Sequence, residues 1–219
     1  MRRVLIYTRT AGYRHDSIPT AIAAVRELAA GAGLAADATE DPDEFSGLNL
    51  SRYTVVAFVS TSGEVLTDDG RAALSDWVLD GGGFVGVHGA ATTEPAWEFF
   101  RDLIGGARFT RHPEIQPAVV TLEDQRHPAT THLPGQWPFV DEWYEFDANP
   151  RGNVRVLASV DERTYADGRM GADHPLVWCH ENCGGRSFYT SLGHTSQSYA
   201  DPAFRGHLAG ALTWAARLD

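Results

Sequence analysis

Cysteine is scarce in this sequence, which contains only Cys179 and Cys183 among 219 residues. Two cysteines cannot build a disulfide framework, and without a second pair they supply at most half of a four-cysteine zinc site. Their spacing across a turn would also suit a single disulfide. We expect two reduced thiols at the base of a hairpin instead, because disulfides are disfavoured in the cytosol.

Long apolar runs and positive charge are lacking as well. No apolar stretch approaches the ~18 residues that cross a bilayer, and the run at residues 4–7 is too short for a signal peptide. The 18 basic residues are outnumbered by 29 acidic ones, which gives a formal net charge of −11. This charge argues against nucleic acid and anionic membranes as partners. We expect a cytoplasmic protein.

The first half of the chain alternates between predicted strands and helices. Near-continuous apolar runs typical of buried parallel strands occupy residues 53–59 and 84–87, and further strands, the second of them short, are predicted at residues 4–8 and 34–39. Apolar residues at helical spacing separate these runs, and we predict that Asp16 or Ser17 caps the first helix and Thr67 the next long one. Such alternation implies right-handed crossovers and a parallel sheet covered on both faces.

The second half is richer in strands and contains two long loops. Predicted strands span residues 118–122, 154–160, 176–179 and 186–190. The last two are expected to pair as a hairpin, and the aromatic stretches 110–117 and 131–150 to form ordered loops. A helix over residues 202–218 ends the chain. The prediction is one α/β domain, residues 1–219, with a doubly wound, mostly parallel sheet and added antiparallel edge strands.

The glycine-rich stretch at residues 81–94 marks the centre of the predicted sheet. Three glycines precede the apolar run, and the chain then turns at His88 and Gly89 through small residues, where backbone can approach a ligand closely. Ligands of open α/β sheets bind beside the carboxyl ends of central strands. A lone histidine is more often structural than catalytic, so the significance of His88 depends on its neighbours.

Other polar residues follow the carboxyl ends of neighbouring strands. Arg14 and His15 follow the first strand, Ser62 follows the third, and His194 follows the strand that ends at residue 190. The carboxyl ends of parallel strands share one edge of a sheet, and this edge is where such sheets bind ligands. We therefore expect the histidines to line one crevice.

Four blocks in this order resemble the ThuA-like (trehalose utilisation) family nearly from end to end. They are residues 12–18 (GYRHDSI), 82–90 (GGFVGVHGA), 141–144 (DEWY) and 192–194 (LGH). The resemblance implies a flavodoxin-like fold of the class I glutamine amidotransferase type. It also implies a role in disaccharide utilisation.

The comparison with amidotransferases concerns the turn after the central strand. These enzymes carry Gly-x-Cys-x-Gly there, and residues 86–90 fit this frame with His88 in place of the nucleophilic cysteine. His194 takes the place of the catalytic histidine. Thiolate attack on glutamine is excluded without a thiol at this turn, and Cys179 and Cys183 lie elsewhere. The protein is not expected to be a glutaminase.

Glu142 lies in the second aromatic loop, beside Trp143 and Tyr144. Carboxylate, imidazole and aromatic rings together supply what a sugar site needs, namely hydroxyl acceptors, a proton-transfer group and a stacking face. We assign His88, His194 and Glu142 as candidate catalytic residues. The candidate substrate-binding residues, drawn from the same rim and its loops, are Arg14, His15, Ser62, Trp143, Tyr144 and His112.

Structural roles compete with these assignments. Glu142 would serve the fold alone if it paired with Arg14 or another cation in a buried ion pair. His112 and His174 are also candidates for the site. Each precedes a proline, however, and the alternative for both is a structural role in a turn. The remaining histidines considered are assigned to the surface or to a helix face: His127, His132 and His207.

The residues predict an enzyme that acts on a disaccharide or an oxidised sugar by acid–base chemistry without covalent catalysis. Paired carboxylates of the glycosidase type are not evident, which disfavours ordinary glycoside hydrolysis. Hydrolysis, elimination and isomerisation all stay open, and so does assembly into a homo-oligomer. The expected partner is a small-molecule carbohydrate.

Two alternatives to this prediction exist. One is a sugar- or small-ligand-binding domain that kept the amidotransferase-like scaffold without catalysis. The other is a divalent metal site, because the three imidazoles of His15, His88 and His194 suit zinc if all reach one ion. The principal prediction requires no cofactor and assigns no metal ligand.

Overall fold

A sheet of nine strands forms the centre of the protein, and a separate pair of short strands lies beside it. The computed structural model describes residues 2–219. The strands are β1 (Arg3–Tyr7), β2 (Ala35–Thr39), β3 (Val55–Val59), β4 (Gly83–Val87), β5 (Phe109–Arg111), β6 (Gln116–Leu122), β7 (Gln136–Asp141), β8 (Glu145–Phe146), β9 (Arg155–Val160), β10 (Pro175–His180) and β11 (Ser187–Thr190).

The strand order in the large sheet is β2-β1-β3-β4-β11-β10-β9-β6-β7. Neighbouring strands from β2 to β11 are parallel, and those from β11 to β7 are antiparallel. The parallel half has the flavodoxin order, with β11 in the place of the fifth strand. The predicted flavodoxin-like α/β fold with added antiparallel strands is confirmed, as is the hairpin of β10 and β11.

Helices cover both faces of the sheet. They are α1 (Ile18–Gly31), α2 (Gly47–Leu50), α3 (Asp68–Leu79), α4 (Glu98–Leu103) and α5 (Pro202–Ala215). Alternate residues of β1 point to opposite faces, as the period of a strand requires. Val4 and Ile6 join the core under α1 and α5, whereas Leu5 and Tyr7 join the core under α3 and α4. Among residues 2–219, no helix has the length and apolar composition to cross a membrane.

The two predicted helix caps have different outcomes. The Thr67 hydroxyl accepts a hydrogen bond from the backbone N–H of Gly70 at 3.0 Å, so the cap of α3 is confirmed. The side-chain cap predicted for α1 is wrong. Ser17 has helical backbone angles and its hydroxyl has no hydrogen bond, whereas a capping side chain requires an extended backbone to reach the free N–H groups.

The two stretches predicted as loops contain strands, which corrects the sequence-based expectation. Stretch 131–150 includes β7, whose residues alternate between exposed and buried and pair with β6. Pro138 in its middle speaks against a central strand, but β7 is the last strand of the sheet, where a missing N–H on the outer side costs no ladder bond. Short strands β5 and β8 pair with each other across the same region.

Candidate active site

His88 is the first residue after β4 and occupies a strained turn. Its φ of +49° lies in the left-handed region that residues other than glycine rarely adopt. Its carbonyl oxygen accepts a hydrogen bond from the Tyr189 hydroxyl at 2.9 Å. A side chain at Gly89 would come within 3.0 Å of the Thr61 carbonyl oxygen. The turn is thus held tightly, and the His88 imidazole is fully buried.

Ser191 determines which ring nitrogen of His88 carries the proton. Nδ1 lies 2.7 Å from the Ser191 carbonyl oxygen. A carbonyl oxygen only accepts hydrogen bonds, so in the neutral ring Nδ1 is the donor and Nε2 keeps its lone pair. That lone pair faces His194 Nδ1 at 3.2 Å and Glu142 Oε2 at 3.5 Å.

Asp141, the last residue of β7, connects the turn after β11 to the segment that carries Glu142. Its carboxylate accepts backbone hydrogen bonds from Gly193 at 2.7 Å, His194 at 3.1 Å and Glu142 at 2.9 Å. Burial raises the pKa of Asp141, against the lowering effect of His88 and of these three donors. This role of Asp141 was not predicted from the sequence, although Asp141 belongs to the same motif as Glu142.

The structure brings together the side chains of four residues that are distant in sequence. Glu142 Oε2 lies 2.9 Å from His194 Nδ1, and the ring of His15 lies 4.7 Å from that of His88 and 5.1 Å from that of His194, between centroids. One potential ligand atom from each residue lies within 4.8 Å of all the others. We call His15, His88, Glu142 and His194 the four-residue cluster.

Charge is distributed unevenly within the four-residue cluster. Burial opposes ionisation of Glu142, but the hydrogen bond with His194 and the nearby His88 outweigh it, so the pKa of Glu142 lies well below its ordinary value. Burial would lower the pKa of His194, but Glu142 raises it overall. Burial, followed by the proximity of His88 and His194, lowers the pKa of His15 to about 3. His15 is therefore neutral and Glu142 ionised near neutral pH.

A cavity of about 520 Å³ borders the cluster. Its lining residues are Gly12, Tyr13, His15, Ser62, Gly63, Thr92, Phe109, His112, Glu142 and Tyr144. The Tyr144 ring lies against His88, with centroids 4.3 Å apart, and Phe109 lies against Tyr144 at 4.4 Å. An aromatic wall beside a carboxylate suits a ligand with apolar ring faces and hydroxyl groups.

Two of the predicted substrate-binding residues lie outside this cavity, which corrects those assignments. The exposed Arg14 guanidinium pairs with Glu40 at 2.6 Å, so the proposed ion pair with Glu142 is also wrong. Trp143 is fully buried and donates from Nε1 to the Gln116 carbonyl oxygen at 3.1 Å. Side chains alternate along an extended segment, which explains why Glu142 and Tyr144 face the cavity while Trp143 faces the core.

His112 and His174, the two histidines that precede prolines, have separate positions. His112 lines the cavity, with Nδ1 3.5 Å from Glu142 Oε1. His174 is buried behind the site, where Nδ1 lies 2.8 Å from Glu162 Oε1 and Nε2 lies 2.8 Å from the Tyr144 carbonyl oxygen. His174 therefore supports the backbone of the cavity wall, and His112 alone of the two reaches the cavity.

The remaining assignments divide between correct and incorrect. His127 was expected at the surface but is buried, with its ring 5.0 Å from that of Trp214. His132 is exposed, as expected. Of these two histidine assignments, only that of His132 was therefore correct. Cys179 and Cys183 are both free and buried in the structure. Burial raises the pKa of Cys179 to about 12 and also raises that of Cys183, so neither is an activated nucleophile.

Comparison with known proteins identifies the family. The family model ThuA, described as trehalose utilisation, matches residues 3–215, and the chain therefore belongs to the ThuA family. A ThuA-like protein from Bacteroides uniformis is 27% identical, with a TM-score of 0.85, and the match covers 98% of this chain and 91% of that one. A ThuA-like protein from Parabacteroides merdae is 20% identical, with a TM-score of 0.80 and coverage of 98% and 90%.

The same fold occurs within larger enzymes. The chain matches part of a β-galactosidase from Rahnella sp. R3 with a TM-score of 0.62 and 16% identity, covering 100% of this chain and 32% of that one. At this identity the likeness concerns the fold alone. No curated protein sequence matches the chain.

Proposed function

We propose that this ThuA-family protein is an enzyme of carbohydrate utilisation that acts on a disaccharide or an oxidised sugar by proton transfer. The observation that carries the proposal is the junction of an open, aromatic-lined cavity with the buried contacts among Glu142, His194 and His88. A carboxylate and imidazoles in hydrogen-bond contact are the groups that move protons in enzymes. The family description, trehalose utilisation, supports a sugar as the ligand.

The protein lacks the residues that several other kinds of catalysis need at this site. Glu142 is the single carboxylate among the lining residues of the cavity. Ordinary glycosidases use a pair of carboxylates, so glycoside hydrolysis of that type is disfavoured. The chain contains no lysine, so a lysine Schiff base is excluded. Cys179 and Cys183 are buried and lie outside the cavity, which fits an enzyme of a reducing compartment, the cytoplasm, rather than a thiol enzyme.

Glu142→Gln tests the proposal. The purified protein is incubated in D₂O with trehalose, other disaccharides and their ketone derivatives, and NMR follows both product formation and deuterium incorporation at carbon. We expect turnover to fall ~10²-fold or more in the variant, the usual effect of losing an acid–base group. Sugar affinity should change only a few-fold, because the charge is needed most in the transition state.

Glu114→Gln is the matched control, because Glu114 is exposed and its carboxylate has no ion-pair partner among the described residues. It should leave turnover unchanged. Neither variant should lower the melting temperature substantially, since Glu142 contacts histidines rather than an arginine. Unchanged turnover in Glu142→Gln would contradict the proposal, and sugar binding without any turnover or deuterium exchange would favour the binding-domain alternative.

A further inference from the structure

The donor atoms of the four-residue cluster have the spacing of ligands around one metal ion. Ligands of a tetrahedral site with Zn–N bonds of about 2.0–2.1 Å lie roughly 3.3 Å apart. His194 Nδ1, His88 Nε2 and Glu142 Oε2 are separated by 3.2, 2.9 and 3.5 Å. These three atoms thus form one face of such a tetrahedron without any movement of the backbone.

The surroundings of His88 orient its ring as that of a metal ligand is oriented, and the backbone of His194 is held in place. A metal-bound histidine almost always donates its second ring N–H to a carbonyl or carboxylate, which turns the lone pair toward the ion. The Ser191 carbonyl oxygen accepts from His88 Nδ1 in this way at 2.7 Å. Asp141 fixes the backbone of His194 and Glu142 through its three accepted hydrogen bonds.

His15 supplies an independent observation. It is only 5% exposed, yet its Nδ1 has no hydrogen-bond partner among the described residues. Buried polar atoms are nearly always satisfied by protein, water or a bound ion, so Nδ1 is open to a partner from outside the chain. Its ring faces the rings of His88 and His194 at 4.7 and 5.1 Å, which is within reach of an ion that those two rings share.

The charge of the cluster also favours a cation. The ion-pair partners of the Glu142 carboxylate are all histidines, at 2.9 to 3.5 Å. Arg14, the cation that the sequence suggested as an ion-pair partner of Glu142, pairs with Glu40 instead. A buried carboxylate is stable when it is paired or coordinates a metal, and no arginine pairs with Glu142 in the part of the chain that the structure describes.

We propose that His15, His88, His194 and Glu142 bind one divalent first-row metal ion. Three imidazole nitrogens and one carboxylate oxygen suit zinc, and the same donor set accepts cobalt or manganese. His15 and Glu142 also line the 520 Å³ cavity, so the ion faces the space that a ligand enters. An oxygen of that ligand would join the four protein donors as a fifth, an expansion that catalytic zinc sites undergo.

This inference deepens the proposed function, since it concerns the same site. A metal ion there would bind a hydroxyl or carbonyl oxygen of the sugar and polarise it. Glu142 would then bind the ion through Oε2, which leaves Oε1 to exchange a proton with the sugar. Metal binding is measurable without any sugar, so the two proposals succeed or fail separately.

Metal analysis of the untagged, full-length protein tests the inference. The protein is treated with a chelator, dialysed, and titrated with Zn²⁺, Co²⁺ and Mn²⁺ separately. Calorimetry and elemental analysis should give one equivalent of Zn²⁺ or Co²⁺ per chain, and bound Co²⁺ should show the visible absorption of a four- or five-coordinate ion. Saturation should raise the melting temperature, because a ligand that binds only the folded state stabilises it.

His15→Gln and Glu142→Gln are the informative variants, and His132→Gln is the control for adventitious binding by an exposed imidazole. Loss of even an indirect partner of a metal ligand weakens metal binding about 10–100-fold, so each informative variant should lose at least ~100-fold in affinity. Their chelator-treated forms should melt with the chelator-treated parent. His132→Gln should bind as the parent does.

Two results would overturn the metal assignment. One is less than about a fifth of an equivalent of every ion in the parent protein, and the other is undiminished affinity in a folded His15→Gln variant. If sugar turnover persists in metal-free protein, the acid–base proposal stands without the metal. If the protein binds one equivalent but neither converts nor exchanges any sugar, the metal site stands and the sugar chemistry fails.

Discussion

At the scale of single residues, Asp141 is the side chain on which the geometry of the site depends most. It is not itself among the residues that line the cavity, yet both of its oxygens accept hydrogen bonds from backbone N–H groups of the segments that carry Glu142 and His194. Both oxygens are needed, because Gly193 donates to Oδ2 and the other two donate to Oδ1. Asp141 is therefore a positioning residue.

Asp141→Asn should disturb the geometry of the site, although asparagine has nearly the same size and shape as aspartate. One carboxylate oxygen becomes an NH₂ group, so at least one backbone N–H loses its acceptor and faces another donor. An unsatisfied buried group costs about 1–3 kcal/mol, and we expect a loss of this size in urea unfolding together with a ~10-fold or larger fall in Zn²⁺ affinity. An exposed aspartate without an ion pair, Asp76, offers the control Asp76→Asn. Unchanged stability and metal affinity in Asp141→Asn would refute the positioning role.

The residues of the cluster could be predicted from sequence because each follows a strand or stands in a motif. His15, His88 and His194 come after parallel strands that share one edge of the sheet. The role of Asp141 could not be predicted, since its partners are backbone groups 52 and 53 residues away. The misplacement of Arg14 and Trp143 has the same origin, because sequence adjacency to a site residue does not determine which way a side chain points.

At the scale of secondary-structure elements, the turn of the β10–β11 hairpin packs against the end of α3 without room for a side chain. A Cβ on Gly185 would lie 1.9 Å from the Gly82 carbonyl oxygen, and one on Gly184 would lie 2.5 Å from the Leu79 carbonyl oxygen. The hairpin turn thus fits against the chain that leads into β4. This contact helps to fix the register of β11 against β4, and therefore the relative position of their carboxyl ends at the site.

Gly185→Ala should therefore destabilise the fold more than an ordinary glycine substitution. Its Cβ would collide with backbone, which cannot move aside as a flexible side chain could, and overpacking of this kind costs typically 1–3 kcal/mol. Gly135→Ala is the control, since a Cβ there has no neighbour within 4 Å, and it should stay within about 0.5 kcal/mol of the parent. Equal unfolding free energies for the two variants would show that the close contact has no energetic weight.

The elements of the parallel half could be predicted well, because buried runs and helical periodicity are strong patterns there. The outer antiparallel strands could not. In β7 the pattern alternates over only six residues and contains Pro138, which reads as a loop until its place at the edge of the sheet is known. Strands β5 and β8, of three and two residues, are too short to produce any periodicity.

At the scale of the whole molecule, an ion-pair network on the surface connects separate segments of the antiparallel half. Arg151 contacts Glu123, after β6, at 2.7 Å and Asp173, before β10, at 2.5 Å. The hydrogen bond from Arg151 is the main cause that lowers the pKa of both carboxyl groups. Both groups are partly exposed, so water screens the interaction and its contribution to stability is modest.

The network should give Arg151→Met a pH-dependent effect on stability. A carboxyl group whose pKa is lower in the folded state contributes stability above its unfolded pKa of about 4 and loses it as the pH falls through the folded value. The parent should therefore exceed Arg151→Met in unfolding free energy at pH 7, and the gap should shrink below about pH 4. Urea titrations from pH 7 to 3 measure this.

Arg26→Met removes the same charge from an exposed residue that has no hydrogen bond or ion pair in the described structure. Its difference from the parent should stay small and nearly independent of pH. A gap for Arg151→Met that remained constant down to pH 3, or that widened, would mean that the ion pairs do not account for the effect.

The position of β11 between β4 and β10 has a consequence for protein synthesis. The first four strands are translated within 87 residues, but the neighbour of β4 is the last strand of the chain. Until that strand leaves the ribosome, β4 has an open edge of unpaired backbone groups, a hazard for pairing with other chains. The four-residue cluster also lacks His194 until that residue has been added to the chain. A growing chain thus has neither the complete sheet nor the complete four-residue cluster until residue 194 has left the ribosome, and termination before that residue forfeits both together.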